Sequence, residues 1–511
     1  MLLIVHWREK MLDKLKNKEA LTNILLIFLI IQPALDFYIL FTDSVRSAAG
    51  FSPTTIIRVA FILIMGLMII LIMKKDKKFY VLLFYIFIVL AYSILHCYNN
   101  IHVSGILPET YKFSIIAETF YIIRMLIPIA MIYIVCYSNI NVERFNKIIV
   151  AVVLLFSGTI VISNLLDLSL SSYSEFAMIK GNFFSWFTRA NTGYGVIELS
   201  SKGFFFSANQ ISALLIMLLP ISLYFTITKF NKLNIITVLV QILSMIMLST
   251  RVATYGWIII VAAVTIMYLF FTLIKKEFAF KKRKLVFLIL VLVMFCGIIS
   301  IAPITTRKYV KDFVAAEDTS KTDEIKEEVE TLPMEEDVIG ILSEGYTDYS
   351  IPADYIKKIY PLENDVDFWM DFINKPAEQR IGNRAIEGLI TSRIKQLRAN
   401  PMDRFVGMGY SRMTNAGLYI EEDFYAQYYT MGAIGVVLFL FFYIVIIIYS
   451  FIRAIKNYKN RFNFLNIILM LSVGTMLIVS VYSGHVLDEL VVTIYAGTLC
   501  GMLIKLIYEE K

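Results

Sequence analysis

Long apolar runs repeat along the chain, each about the length that a helix needs to cross a lipid bilayer. A membrane-spanning helix takes about 20 mostly apolar residues, and runs of that length with few charges are typical of membrane proteins. The pattern therefore predicts an all-α, polytopic integral membrane protein with about twelve transmembrane helices. The runs lie near residues 20–41, 54–73, 79–97, 113–137, 147–166, 207–228, 233–249, 252–274, 285–304, 430–452, 464–483 and 488–507.

Two stretches between these runs are too long to be simple connectors. Residues 167–206 separate the fifth and sixth runs, and residues 305–429 separate the ninth and tenth. Long loops of this kind usually carry function. We therefore expect a membrane region of nine helices at 1–304, which includes the 167–206 loop. A large extracellular loop containing helices follows at 305–429, and three further membrane helices occupy 430–511.

Composition supports a membrane protein and excludes an ordinary soluble domain. Of the 511 residues, 58% are hydrophobic and 17% are charged, and the mean hydropathy is +0.70. Globular proteins average roughly 45–50% apolar and about 25% charged residues. The four cysteines lie far apart and form no C-x-x-C pair, which argues against disulfides and a cysteine-based zinc site.

The positive charge of the chain is explained by membrane topology. The net charge is +7, a value that could also suggest a nucleic-acid partner. With a cytoplasmic N-terminus, however, every cytoplasmic loop is basic, as the positive-inside rule requires, so no nucleic-acid partner is expected. Both termini are then cytoplasmic and the two long loops face outside. The basic residues of these inner loops include Lys74, Lys75, Lys77, Lys78, Arg144, Lys147, Lys229, Lys232, Lys275, Lys276, Lys281, Lys282, Arg283, Lys284, Arg453, Lys456, Lys459 and Arg461.

The long loop has two contrasting parts. Residues 317–337 are strongly acidic, which favours a solvated surface over a metal site. Residues 378–399 instead show apolar positions at helical spacing, which predicts an amphipathic helix with a basic face. The apolar positions are Ile381, Ala385, Leu389, Ile390, Ile394 and Leu397, and the basic ones are Arg380, Arg384, Arg393 and Lys395.

Three arginines in or beside apolar runs are candidates for function. Arg58, Arg124 and Arg251 are costly in lipid, so each should face the bundle interior or a wet cavity. One interpretation is structural, with an arginine neutralised by Asp36 or Glu118. The other is that arginines bind a phosphate or pyrophosphate, for which a planar guanidinium with several donors is well suited.

Three local patterns, taken together, resemble the superfamily of O-antigen ligases and Wzy-type polymerases. The run Gly203-Phe204-Phe205-Phe206-Ser207-Ala208-Asn209 resembles its G-F-F-x-x-A-N motif, and Ser249-Thr250-Arg251 resembles its S/G-T/S-R/K turn. The third pattern spans the end of the long loop, where Gly407-Met408-Gly409-Tyr410 resembles the G-x-G-Y turn. An acidic segment then leads to Gly432-Ala433-Ile434-Gly435, which is similar to G-x-x-G.

One position departs from the ligases that attach O-antigen to lipid A core. Where those ligases have a histidine, this chain has Glu421, followed by Asp423. This E-x-D form resembles Gram-positive polysaccharide polymerases, as does the pattern Gly484-His485-Val486-Leu487. The role of the ligase histidine therefore does not carry over directly.

The resemblance implies a GT-C-like fold and inverting glycosyl transfer. The donor would be a polyprenyl-pyrophosphate-linked glycan and the acceptor a glycan hydroxyl, with no metal and no cofactor. Such a reaction needs cations for the leaving pyrophosphate and a base or orienting acceptor for the hydroxyl. Candidates for the first role are Arg58, Arg251, Arg384, Lys202 and Arg124. Glu421 or Asp423 would fill the second role, with His485 and Asn209 contacting the acceptor.

Two other kinds of protein remain possible from the sequence. A transporter or flippase for lipid-linked oligosaccharide would also gather arginines around a pyrophosphate, but it would not need the long loop with its E-x-D segment. A structural or sensory membrane protein is disfavoured by the arginines in the apolar runs. We therefore expect a glycosyltransferase at the outer leaflet of the plasma membrane, working beside other polysaccharide-assembly proteins; whether it polymerises or ligates stays open.

Overall fold

The computed structural model describes residues 17–42, 52–73, 77–102, 107–188, 193–305, 335–347, 349, 351–380, 382–487 and 489–508. Several sequence-based expectations fall outside these residues. They concern Lys74 and Lys75 of an inner loop, Ile381 of the predicted amphipathic helix, and the acidic run at 317–337 except for the helical backbone of 335–337.

Helices dominate the described chain. They are α1 (Lys18–Leu35), α2 (Pro53–Ile72), α3 (Lys77–Ile101), α4 (Ile115–Tyr137), α5 (Val142–Leu165), α6 (Val196–Leu199), α7 (Ala208–Thr228), α8 (Lys232–Leu248), α9 (Arg251–Leu269), α10 (Lys282–Ile299), α11 (Glu335–Gly345), α12 (Val366–Ile373), α13 (Ala377–Arg380), α14 (Asn383–Arg398), α15 (Asp403–Val406), α16 (Tyr410–Asn415), α17 (Asp423–Phe439), α18 (Phe441–Lys456), α19 (Phe464–Tyr482) and α20 (Leu490–Tyr508). The described strands are β1 (Leu170–Ser171) and β2 (Ser201–Gly203), which pair antiparallel. Short 3-10 turns occupy Tyr38–Phe41, Phe183–Phe187 and Leu362–Asn364, and π-helical turns occupy Phe270–Ile274 and Tyr355–Ile359.

The polytopic helical architecture is confirmed, whereas the count of twelve spans stays a prediction. In the described residues, ten helical segments are long and apolar enough to cross a membrane, with α17 and α18 taken together as Asp423–Lys456. The seventh and ninth predicted runs correspond to α8, which has 17 residues, and to α10, which begins with three basic residues. Both are helical, but they are shorter or more charged than the others.

Side-chain caps explain where several membrane helices begin. The side chains of Asn17, Asn141, Asn231 and Asn463 accept backbone N–H groups in the first turns of α1, α5, α8 and α19. These bonds satisfy donors that have no partner within the helix, which fixes the starting residue.

The described chain divides into two compact units. The first comprises residues 1–82, 125–306 and 442–511, and the second comprises 83–124 and 307–441. The long loop therefore belongs with parts of α3 and α4 and with all of α17, and the linear division at residues 304 and 429 stays a prediction.

Helix α7 is the core of the first unit. It packs against α5, α8, α9, α19 and α20, and almost all of its residues are buried. A helix that is apolar on all sides is stable only when other helices surround it. By contrast, Leu63 and Leu67 of α2 are 62% and 61% exposed, as expected for a helix that faces lipid.

The second unit has its own apolar core within the long loop. Trp369 and Phe372 of α12 pack there with Ile386, Ile390 and Ile394 of α14. These isoleucines are spaced four residues apart, so they lie along one side of the helix. The predicted amphipathic helix is confirmed as α14, but its buried stripe includes Ile386 and Glu387, which the sequence pattern did not identify.

Several basic residues of this stretch contact neighbouring groups of the loop, and the basic helix face stays a prediction. Arg380 donates to two backbone carbonyls, those of Tyr349 and Lys375, and Arg393 forms two bonds with Asp365. The Nζ atom of Lys395 lies about 5 Å from the ring centroids of two tyrosines. Arg380, Arg393 and Lys395 are thus engaged within the loop, because its folded core brings acceptors and aromatic rings to positions that look exposed on an isolated helix.

Candidate functional site

A cleft in the long loop contains one of the two predicted catalytic carboxylates. It has a volume of about 320 Å³ and lies between α14 and the segment that precedes α17. Carboxylates, hydroxyls and a guanidinium in one cleft offer hydrogen bonds of both kinds to a sugar ring. We call this feature the loop cleft. It is lined by Gln379, Arg384, Ala385, Glu387, Gly388, Leu389, Ser392, Ile420, Glu421, Glu422 and Tyr425.

Arg384 and Glu421, two of the predicted site residues, are brought together in the loop cleft. The Nε of Arg384 donates to Oε2 of Glu421 over 2.7 Å. The two side chains are 44% and 34% exposed, so a ligand can reach both groups. Solvent-exposed ion pairs of this kind add little stability to a fold.

Glu387 is a cleft residue that the sequence analysis missed. It lies three residues after Arg384 on α14 and is 4% exposed. Its Oε1 accepts the hydroxyl of Tyr355 over 2.7 Å, and its Oε2 accepts the backbone N–H of Glu421 over 3.0 Å. The sequence does contain a signal, since residues three apart on a helix share a face with each other.

Asp423 has a different environment from Glu421. It is the first residue of α17 and is 4% exposed, and it does not belong to the lining of the loop cleft. An acid in the first turn of a helix interacts favourably with the positive end of the helix dipole. This position accounts for Asp423 as a helix-starting residue, and of the two predicted catalytic carboxylates only Glu421 lines the cleft.

The G-x-G-Y turn packs against α17 at a break in that helix. Gly432 has φ 69° and ψ 177°, a conformation that interrupts the helix and suits glycine. The backbone N–H groups of Met408 and Gly409 donate to the carbonyls of Tyr429 and Thr430 over 2.8 and 3.0 Å. A Cβ atom on Gly407 would lie 2.2 Å from the carbonyl oxygen of Thr430, so only glycine permits this crossing.

A buried histidine and a buried glutamate also contact the G-x-G-Y turn. His96 and Glu118 are both fully buried, and Nε2 of His96 lies 2.8 Å from Oε1 of Glu118. Glu118 also accepts the backbone N–H groups of Tyr410 and Ser411 over 2.9 and 2.8 Å. Glu118 thus pairs with a histidine and fixes the turn, an arrangement for which the sequence offers no local signal.

Arg58 is engaged in an internal ion pair. Its NH2 donates to Oδ1 of Asp36 over 2.6 Å, its Nε donates to Oε1 of Gln32 over 2.7 Å, and both charged side chains are nearly completely buried. This is the structural alternative weighed for such arginines from the sequence. The contacts do not test pyrophosphate binding, which stays a prediction for Arg58.

Lys202 is also engaged inside the first unit. Its Nζ donates to the carbonyl oxygens of Ser174, Phe206 and Glu175 over 2.8, 3.0 and 3.4 Å. Burial lowers the pKa of Lys202 to about 8, although Glu175 nearby opposes that effect. The N–H of Phe206 in turn donates to the carbonyl of Asp36, so Arg58 and Lys202 belong to one bonded network. This network organises backbone, and an anion would have to displace its contacts.

Arg251 is the most accessible of the predicted cations in the first unit. It is exposed and begins α9 after a Thr250 cap, where the positive end of the helix dipole disfavours a cation and favours an anion. Asn209 is exposed in the first turn of α7. His485 is half-buried and has φ 59°, whereas Asp488 beside it lies outside the described residues. Arg124 is half-buried within α4.

The two units thus provide different functional groups for a candidate site. The second unit provides a cleft with an accessible carboxylate beside a guanidinium, and the first provides an exposed arginine at a helix start. Across the described residues, no group of three histidine, cysteine, aspartate or glutamate side chains is arranged to share a metal ion.

Comparison with known families gives one match that covers nearly the whole chain. A family model described as an O-antigen ligase like membrane protein matches residues 18–510. The range includes all of the helices named above and both long loops. No curated protein matches the chain significantly.

Proposed function

Because the chain belongs to the family of O-antigen ligase-like membrane proteins, we propose that it is a glycosyltransferase of the outer leaflet of the plasma membrane. Membership of the family establishes the coarser part of this description, a multi-pass membrane protein for ligation or polymerisation of lipid-linked polysaccharide. The identity of the donor, the side of the membrane on which the long loop lies and the mechanism are parts of the proposal. The likeness to the E-x-D polymerases of Gram-positive bacteria also stays a prediction.

The proposed reaction transfers a glycan from polyprenyl pyrophosphate to a sugar hydroxyl. The hydroxyl oxygen forms a bond to the anomeric carbon while the bond between that carbon and the pyrophosphate oxygen breaks. The electron pair of the broken bond leaves with the pyrophosphate, and the hydroxyl proton passes to a carboxylate. Attack opposite the leaving group inverts the configuration at the anomeric carbon.

The observation that carries this proposal is the contact between Glu421 and Arg384 in the loop cleft. A carboxylate that is 34% exposed can reach an acceptor hydroxyl, and the Arg384 guanidinium fixes its orientation. Positioned acid–base groups typically contribute about 10²- to 10⁴-fold in rate. We therefore assign acceptance of the proton to Glu421, and we assign to Asp423 the start of α17.

The leaving pyrophosphate requires positive charge. Arg251 suits this role because it is exposed at a helix start, and Arg384 offers a guanidinium in the loop cleft. Arg58 and Lys202 would serve indirectly, since their donors are engaged within the protein. Arg124, Asn209 and His485 keep their proposed substrate-binding roles.

The deciding experiment is reconstitution of the purified full chain in liposomes with lipid-linked oligosaccharides extracted from membranes. Growth of a glycan ladder or transfer to an acceptor, together with loss of the donor, is expected. Movement of the donor between leaflets without chain growth would support the transporter instead. A preparation that neither transfers nor moves the donor would contradict both functions.

A further inference from the structure

We propose that Glu387 is a positioning residue that sets the place of Glu421 in the loop cleft. The inference rests on the proposed function, since it takes the Glu421 carboxylate as the group that receives the acceptor proton. It concerns a residue for which the family resemblance gave no role.

Two residues one turn apart on α14 hold Glu421 at two points. Arg384 donates to the side chain of Glu421 over 2.7 Å, and Glu387 accepts the backbone N–H of the same residue over 3.0 Å. A single side-chain contact would leave the backbone free to rotate the carboxylate away. Contacts to both the main chain and the side chain define its position relative to α14.

Glu387 is itself fixed by Tyr355. The tyrosine hydroxyl donates to Oε1 of Glu387 over 2.7 Å, and Tyr355 is 8% exposed within the core of the second unit. Burial raises the pKa of Tyr355 above its ordinary value, and the bond to Glu387 raises it further. The hydroxyl therefore keeps its proton and remains a donor. Tyr355 in the core thus fixes Glu387, and Glu387 in turn fixes the backbone of Glu421.

Packing alone does not explain a carboxylate at this position. Ile386, Ile390 and Ile394 already form the buried stripe of α14, and a buried carboxylate is costly unless its oxygens are hydrogen-bonded. At these two contacts Glu387 accepts hydrogen bonds from neutral donors. What it contributes there is therefore the position of its two carboxylate oxygens. Displacing a reacting group by about 1 Å can cost about 10²-fold in rate.

The test compares four variants of the full chain in the reconstituted transfer assay. Glu387→Leu removes both acceptors at similar volume, and Glu387→Gln keeps one acceptor oxygen for the Glu421 N–H. In the glutamine variant the amide NH₂ can donate to the hydroxyl oxygen of Tyr355. Tyr355→Phe removes the hydroxyl, and Glu363→Gln is the matched control because Glu363 is exposed on the 3-10 turn of the same loop.

Positioning predicts a specific pattern of kinetic constants. We expect Glu387→Leu to lower kcat by about 10²-fold while KM for the donor changes by less than about twofold. Glu387→Gln should recover kcat to within about tenfold of the wild type and keep the shape of its pH–rate profile. Tyr355→Phe should lower kcat by about tenfold, and the Glu363→Gln control should match the wild type. Thermal unfolding of each variant separates lost geometry from lost fold.

Three results would overturn the inference. Wild-type kcat in folded Glu387→Leu would show that Glu421 needs no support from residue 387. Equal loss in the glutamine and leucine variants, or a shifted pH–rate limb in the glutamine variant, would make Glu387 itself the titrating group. Should the leucine variant not fold, wild-type kcat in Tyr355→Phe would count against the inference, and tenfold loss would support it.

The parallel variant Glu421→Gln separates this inference from the proposed function. Full activity there removes Glu421 from the reaction and the positioning role with it. If Glu421→Gln is inactive while Glu387→Leu is fully active, the proposed function stands and only the positioning role of Glu387 is excluded.

Discussion

His96 and Glu118 are joined by a buried hydrogen bond inside the second unit. Nδ1 of His96 contacts the carbonyl oxygen of Val406, which can only accept, so this nitrogen carries a hydrogen. Nε2 lies 2.8 Å from the Glu118 carboxylate, and a second hydrogen lies between these two atoms. The pair therefore holds the G-x-G-Y turn through hydrogen bonds between fully buried groups.

Replacing Glu118 should destabilise the second unit strongly. Glu118→Gln leaves one acceptor oxygen for the bonds that now go to His96, Tyr410 and Ser411. Removing one partner of a buried pair costs about 3–5 kcal/mol. Thermal unfolding and limited proteolysis of the long loop measure the effect, with exposed Glu363→Gln as the control. Unchanged protection of the loop would contradict a structural role for the pair.

Glu421 and Asp423 should differ in their effect on transfer. Glu421→Gln removes the proton acceptor and should lower the rate by about 10²- to 10⁴-fold while donor binding survives. Asp423→Asn should change the rate far less and lower the unfolding temperature, because it removes an acid from the first turn of α17. Polymer length and remaining donor are measured for both variants in the same membranes. The opposite ranking would move the base to Asp423, and unaffected polymer from the double variant would make His485 the next candidate.

The exposed arginines should require their guanidinium groups. Arg251→Lys and Arg384→Lys keep the charge but lose the planar fork, so we expect most of the activity to be lost while the protein still inserts. In Arg384→Lys the loss should appear in kcat, since Arg384 orients Glu421. Normal turnover in Arg251→Lys would show that Arg251 acts only as a positive charge at the start of α9.

The long loop should lose stability in acid through Asp365. Burial would raise the pKa of this carboxylate, but bonds from Arg393, Tyr360 and the Phe368 N–H outweigh burial and hold the pKa below its ordinary value of 3.8. A lowered pKa stabilises the fold above the ordinary value, and this contribution disappears as the pH falls through the native pKa. Trp369 fluorescence should therefore report loosening below about pH 4. Asp365→Asn should be less stable at neutral pH and show a smaller further loss in acid.

The orientation of the loops has a direct test. A tag inserted within 325–335 should be accessible from outside intact cells, whereas a tag within 276–282 should be protected until the cells are opened. This follows from the basic residues of the inner loops. Reversed accessibility would place the loop cleft in the cytoplasm and exclude an outer-leaflet reaction.

The sequence predicts elements better than contacts, for a physical reason. Membrane helices are visible because their apolar length exceeds what a soluble helix needs, and α14 is visible from its periodicity. The start of α17 at Asp423 instead of near residue 430 was missed because its first turns are rich in tyrosine and glutamine. Pairs such as Arg58 with Asp36, or His96 with Glu118, join different helices, and hydropathy contains no information about such partners.

The break in α17 makes the order of synthesis important. Until Met408 and Gly409 reach the carbonyls of Tyr429 and Thr430, that stretch of helix has backbone acceptors without their partners, which is costly in lipid. The ribosome makes the turn before the helix, so the turn must be held ready for α17 while that helix is emerging. A chain whose loop folds late would hold α17 with these carbonyls unpaired. Quality-control proteases that survey half-assembled membrane proteins would then recognise this chain by the unpaired backbone of α17.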